Sequence, residues 1–213
     1  MAKFPNSPGV SVLSKLDPAL YTLPAGSTLA RVYYRRSPYP QSWNQFRYVG
    51  PLSSRWDHHV PDDAGIPQAQ DRGVYYAAAD AKTCLAEMFQ ATRLIDRVFQ
   101  APWLVVFELP KAVTLLDLTG DFATRMGASM AIHSGHRGRA RGWARDLYRA
   151  YPRIQGILYA ASMAGGAPAM AFNERALDIP FFPAHPLFHR SLGDDVLLDT
   201  LKHAARALGY ALR

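Results

Sequence analysis

The chain lacks most of the features that announce a function at first reading. Its 213 residues include one cysteine, Cys84, so no disulfide can form within the chain. A lone thiol in an apolar stretch suits a reducing compartment and reads as core packing. No apolar run is long enough to span a bilayer, and the first 24 residues contain no signal-peptide segment. Gly165–Gly166 and the other glycines match neither a P-loop nor a dinucleotide fingerprint. His185 and His189 have the spacing of metal ligands, but Pro186 breaks any helix between them and no acid is placed to join them. These absences lead us to expect a soluble, cytoplasmic protein with no metal site and no membrane partner. Charged residues make up only 19% and apolar ones 49%, which sustains a large core and excludes global disorder.

The charge that is present is lopsided. Lys and Arg number 24 against 17 Asp and Glu, a formal +7. That balance favours an anionic partner, whether nucleic acid, a phosphate-bearing small molecule or an acidic protein. Within His136–Arg149, HRGRARGWARDLYR, four arginines (137, 141, 145, 149) recur every four residues and form one drifting stripe on a helix. Trp143 and Leu147 lie on another face, while Gly138 and Gly142 weaken the helix. The stripe reads as a solvated basic face, or as a docking face for an acidic protein, or, less well, as a seat for a phosphate backbone. Direct nucleic-acid binding is the alternative reading rather than the favoured one.

Pattern along the chain predicts α+β, a mixed central sheet with flanking helices. Residues 1–27 read as an irregular arm with at most one helical turn, and 28–213 as a single domain. Strands are expected at Thr28–Tyr34, at Pro102–Pro110, at Val113–Leu118 and at Gly156–Ser162. A last pair is expected at Pro168–Asn173 and Leu177–Phe182. Residues 35–72 are proline-rich and read mostly as loop; residues 120–150 read as helical. Gly73–Gln90, GVYYAAADAKTCLAEMFQ, reads as a strand turning into a helix capped by Asp80. Glu87 is the one acid inside that helix. Asp194 or Asp195 caps a final helix with Leu197, Leu201, Ala204 and Leu208 on one face.

Five polar residues stand at the edges of these elements, each with an ordinary alternative. Arg31 inside a strand needs an anion or carbonyls if it is buried, or else faces solvent. Arg55 beside Trp56 suits phosphate binding with stacking, or is a loop arginine. Tyr76 is a core residue or a site hydroxyl. Glu87 is a cleft carboxylate or a solvated helix position. Ser162 is a site hydroxyl or a turn residue.

Their order along the chain resembles the RES domain family, named for its Arg, Glu and Ser residues. The resemblance is carried by Arg31, Trp43–Asn44, Ser54–Trp56, Gly73–Glu87 and Gly156–Gly166 (G-I-x-Y-x-x-S…G-G), spanning about residues 28–182. It implies an ADP-ribosyltransferase-like fold that takes NAD as substrate, not as cofactor, and breaks its nicotinamide–ribose bond by hydrolysis, phosphorolysis or ADP-ribosyl transfer to protein. It further implies a toxin paired with an Xre-type helix-turn-helix antitoxin, with inorganic phosphate as one candidate acceptor. Carried over, Glu87, Arg31 and Ser162 are the catalytic set, and Arg55, Tyr76 and Trp56 bind substrate. A catalytically silent antitoxin-binding protein is a further alternative. The chain departs from the family pattern in its long Asp57–Arg72 segment and in Met170–Asn173 (MAFN).

Overall fold

The computed structural model describes residues 4–213. The chain begins with α1 (Val10–Leu13), β1 (Leu20–Leu23), β2 (Thr28–Tyr34) and β3 (Arg47–Gly50), before the long β4 (Gln68–Ala78). Next come α2 (Ala81–Met88), β5 (Leu94–Ile95), β6 (Pro102–Glu108) and β7 (Val113–Asp117). After α3 (Phe122–Arg125) and α4 (Arg137–Ala150) come β8 (Gly156–Ala160), β9 (Pro168–Asn173) and β10 (Phe188–Ser191). The chain closes with α5 (Leu198–Leu208) and β11 (Ala211–Leu212).

One sheet organises the molecule, in the order β1-β7-β8-β9-β4-β2-β6-β10, with β3 added against β4. Its pairs are antiparallel except β7 with β8, so the sheet is mixed as expected. A separate parallel pair, β5 with β11, ties the C-terminus down. Central β4 is β-branched and aromatic in its inner half, and there Val74, Tyr75, Ala77 and Ala78 are buried. Close approach of β8 to β9 requires Gly156, since a Cβ there would stand 2.7 Å from the Ala171 carbonyl oxygen.

Side chains alternate across the sheet. On β2, Ala30 and Val32 face one core with Leu85, Leu104 and Tyr159. Leu29 and Tyr33 face a second, aromatic core with Tyr75, Phe107, Phe172 and Phe181. Helix α2 covers the first face. Asp80 caps it, its carboxylate accepting the Thr83 amide at 2.8 Å and the Thr83 hydroxyl at 2.8 Å. Helix α4 forms despite two internal glycines because Ala140, Trp143, Ala144 and Leu147 are buried along one side. The Trp143 indole also donates to the Pro5 carbonyl at 2.9 Å.

Two expectations are corrected. The 1–27 segment is not wholly irregular, because Leu20–Leu23 pairs with β7 and extends the sheet edge. Residues 35–72 are mostly loop, as read, and within them lie β3 and the start of β4. Leu177–Phe182 is no strand: a 3₁₀ turn runs over Glu174–Asp178, and Phe181 plugs the aromatic core from a loop. The last strand is instead Phe188–Ser191, paired with β6. Among the described residues no helix is long and apolar enough to cross a membrane.

Candidate active site

A cleft of about 340 Å³ opens where α2 leaves the first face of the sheet. Glu87, Arg55, Tyr76, Ser54, Tyr159 and Arg137 line it. Each arrives on a different local device. Glu87 lies late in α2 and is half-buried. Its Oε1 accepts the Met163 amide at 3.1 Å and its Oε2 accepts the Gln90 side-chain amide at 3.3 Å. The carboxylate is thereby held by two donors, and among the described residues no cation is bonded to it.

Arg55 is pinned from behind. Its Nη1 donates to the Gly135 carbonyl at 2.6 Å and more weakly to the Ile132 carbonyl at 3.4 Å. Burial lowers its pKa, the like charge of Arg137 adds to that, and Glu87 pulls it back up. Arg55, Arg137 and Glu87 therefore share one electrostatic environment without forming an ion pair.

The loop that carries Arg55 is clamped by a buried polar cluster. Asp57 accepts from Arg47 Nη2 at 2.7 Å, from the Leu52 amide at 2.7 Å and from His59 Nδ1 at 2.5 Å. Burial pushes the Asp57 carboxyl up, but the His59 hydrogen bond and the Arg47 charge outweigh it and bring it to about 2. Beside it, His58 stacks on Tyr148 at 4.5 Å, and Glu174 accepts the Tyr148 hydroxyl at 2.6 Å and the Gly73 amide at 2.8 Å. Against the upward push of burial, His58, Tyr148 and Gly73 hold Glu174 at about 2.

Tyr76 faces the cleft, as expected. Its hydroxyl is buried without a hydrogen-bond partner, and burial, reinforced by Asp57, raises its pKa. Tyr75, one residue earlier, faces the aromatic core and donates to the Trp43 carbonyl at 2.8 Å. Cys84 also lines the cleft, but its thiol donates to the Ala30 carbonyl at 3.0 Å, and burial pushes it up to about 12. It stays a thiol.

Three of the expected residues are elsewhere. Arg31 follows Ala30 and precedes Val32, so strand alternation sends it through to the aromatic face. There its guanidinium lies 3.9 Å from the Tyr75 ring centroid and donates through Nη2 to Gln41, with Nη1 unpartnered. Burial lowers its pKa, and it has no carboxylate beside it. Ser162 is exposed in the loop after β8, and the neighbouring Met163 amide reaches Glu87 instead. Trp56 is 1% exposed, packed at 5.6 Å against Tyr159 and at 6.3 Å edge-on to His133, beneath the cleft rather than in it.

Two contributors escaped sequence reasoning. The Met163 amide is backbone and carries no residue signal. Arg137 was visible as the first of the arginine stripe, yet nothing in the pattern tied that helix start to Arg55. Of the stripe, Arg137, Arg141 and Arg145 are half-buried and Arg149 is exposed. Among the described residues no group of three or more His, Cys, Asp or Glu is placed to hold a metal.

Comparison with known proteins gives a coherent outcome. No curated protein sequence matches the chain. Among solved structures, a chain of the M. tuberculosis MbcT–MbcA toxin–antitoxin complex superimposes with a TM-score of 0.56 at 15% identity, covering 93% of this chain and 96% of that one. The model of the RES domain matches residues 28–191, which takes in every cleft residue named above. This chain belongs to the RES domain family.

Proposed function

We propose that the cleft binds NAD and breaks its nicotinamide–ribose bond. The observation that carries this reading is a single carboxylate, Glu87, held by the Met163 amide and Gln90 in the same hollow as the Arg55 guanidinium and the orphaned Tyr76 hydroxyl. Departure of nicotinamide leaves an oxocarbenium-like ribose, as in glycoside cleavage. A carboxylate fixed beside that ribose stabilises the growing positive charge and accepts from its hydroxyls. Holding Glu87 through two donors fixes its direction before substrate arrives, so little reorganisation is left for the reaction itself. Arg55, immobilised by the Gly135 carbonyl, offers its free edge to the diphosphate. Tyr76 supplies a ring wall to the nicotinamide end and a hydroxyl with no competing partner.

Water, inorganic phosphate and a protein side chain share this first cleavage and differ in what attacks afterwards. Incubating purified protein with NAD, with and without phosphate, and separating the products identifies the acceptor. Free ADP-ribose, its 1″-phosphate or a modified protein each name one. NAD left intact by the wild-type chain would overturn the proposal.

Family membership and the MbcT–MbcA likeness support a cellular role as the toxin of a toxin–antitoxin pair, restrained by an Xre-type helix-turn-helix antitoxin. Growth arrest on expression, relieved by Glu87→Gln and accompanied by loss of cellular NAD, is the expected behaviour. Arrest by the Glu87→Gln protein would point to a silent binding role instead.

A further inference from the structure

Every residue that lines the cleft lies inside the span matched by the RES domain model, which closes at residue 191. Beyond that span the chain still builds α5 and β11, and both return to the helix that carries Glu87. Helix α5 packs against α2. Its C-cap, Gly209, turns left-handed at φ +64°, where glycine meets no steric cost. The Gly209 and Tyr210 amides close that turn on the Arg206 and Ala205 carbonyls at 3.3 and 2.9 Å. Residues 210–213 then run back alongside β5 as a strap. The Ala211 amide donates to the Arg93 carbonyl at 2.9 Å and the Arg213 amide to the Ile95 carbonyl at 3.1 Å. The Arg213 guanidinium pairs with Asp96.

The strap reaches a weak point of the site. Helix α2 has only eight residues, too few to hold its last turn by propensity alone. A helix leaves its last four carbonyls without amides of its own to accept from, here those of residues 85–88. The Leu85 carbonyl accepts the Phe89 amide at 3.0 Å, and the Glu87 carbonyl accepts the Gln90 side-chain amide at 2.7 Å. Between them, the Ala86 carbonyl accepts the Tyr210 hydroxyl at 3.1 Å. Tyr210 is 8% exposed and belongs to the core that holds Leu85, Phe89 and Ile95. Burial raises the pKa of its phenol, the charge of Arg93 lowers it and that of Glu87 raises it. Hydroxyl and carboxylate thus share one neighbourhood on either side of the helix end.

We infer that Tyr210 is a positioning residue for Glu87, its hydroxyl fixing the last turn of α2 and, through that turn, the direction of the carboxylate. Tyr210 does not line the cleft; it acts from behind the helix. The inference deepens the NAD reading and rests on it for the reaction, while the geometry stands on the hydrogen bond itself. A reacting group displaced by about 1 Å can cost about 10²-fold in rate. Loss of one hydroxyl, with the ring still packed, should cost less.

Tyr210→Phe removes that hydroxyl and keeps the ring. Tyr151→Phe is the control, because it takes a hydroxyl from the Leu13 carbonyl, 2.6 Å away and outside the cleft, and so mimics a purely structural loss. NAD turnover and hydrogen exchange of the Met163 amide, which donates to Glu87 at 3.1 Å, are measured by kinetics and NMR in the wild type and both variants. In Tyr210→Phe, kcat should fall about three- to tenfold with KM held within about twofold. Exchange at Met163 should quicken several-fold, and Tyr151→Phe should show neither change. An unchanged kcat, a rise in KM in its place, unchanged Met163 exchange, or equal changes in Tyr151→Phe would overturn the positioning role and leave the NAD reading standing. A wild-type chain that leaves NAD intact would remove that reading instead. Met163 exchange then decides the inference alone: quickened only in Tyr210→Phe, it upholds the role of Tyr210, and unchanged, it ends it.

Discussion

Arg31 and Arg55 make an instructive pair, because the molecule has treated two similar side chains in opposite ways. Arg55 sits on a loop on the cleft side of the sheet, tied through one nitrogen to the Gly135 carbonyl, with its other edge open toward Glu87 and Arg137. Arg31 sits in the middle of a strand, sealed into the aromatic core over Tyr75, with Gln41 as partner and no acid. One has kept an edge open to the cleft and the other has none. The same contrast holds for Tyr76 and Tyr75, and for the same reason: adjacent residues on a strand point to opposite faces.

This comparison can be broken or sharpened by measurement. The largest effect is expected on the cleft side, where Glu87→Gln should lower NAD consumption by about 10²–10³-fold, the usual cost of removing a positioned electrostatic group. Its melting temperature should stay near wild type, because the carboxylate bonds only to Met163 and Gln90 at the cleft wall. On the aromatic side the expectation is reversed. Arg31→Ala opens a cavity in a packed core and should destabilise by about 3 kcal/mol. Arg31→Met keeps the volume and removes an incompletely satisfied buried charge, so it should be neutral or stabilising by about 1 kcal/mol. In both, NAD consumption per folded molecule should stay within a few-fold of wild type. A loss in Arg31→Met as deep as that in Glu87→Gln would show that Arg31 reaches the ligand and would dissolve the distinction between the two faces.

Acid should separate the faces next. Asp57 and Glu174, which brace the cleft wall, are held at about 2, below their ordinary 3.8 and 4.5. A carboxyl whose folded value is depressed contributes stability that is fully present above its ordinary value and is lost as pH falls toward the folded one. Between about pH 4.5 and 2 the 52–59 loop should therefore loosen. The strand around Arg31, which has no carboxylate partner, should hold longer. Hydrogen exchange of these two segments at pH 7 and pH 3 checks it; equal protection loss in both would deny the asymmetry.

The smallest effects belong to the tyrosine pair. Tyr75→Phe removes a buried hydrogen bond to the Trp43 carbonyl and should cost about 1 kcal/mol without touching activity. Tyr76→Phe removes a buried hydroxyl that makes no well-formed hydrogen bond among the described residues and feels only a lesser influence of the Ser54 side chain, so stability should change little while turnover falls several-fold. Thermal melts alongside NAD assays on both variants would read the pair directly.

Much of this was legible in the sequence for identifiable reasons. The strand-to-helix unit at Gly73–Gln90 carries both its β-branched and aromatic run and an Asp80 cap whose carboxylate binds the first turn, so local chemistry states its structure outright. Thr28–Tyr34, Pro168–Asn173 and the arginine-striped helix were equally plain. Leu20–Leu23 was not, because an edge strand of four residues becomes a strand only when β7 offers it a ladder. Phe181 and Phe182 looked like strand residues, since aromatic pairs favour strands; here they leave the sheet to fill its far core from a loop.

What the sequence settled by itself was the inventory: a mixed α and β chain, a single acid in a capped helix, an arginine beside a tryptophan and a basic stripe, all in the order of one family. What it could not settle was facing. Strand alternation has a period of two, so it says that Arg31 and Val32 part company but not which of them meets Glu87. That choice was made when α2 packed on the Ala30–Val32 side and the aromatic loop packed on the other. It also decided that the start of α4, far along the chain, would bring Arg137 rather than Arg31 to the cleft that Glu87 lines.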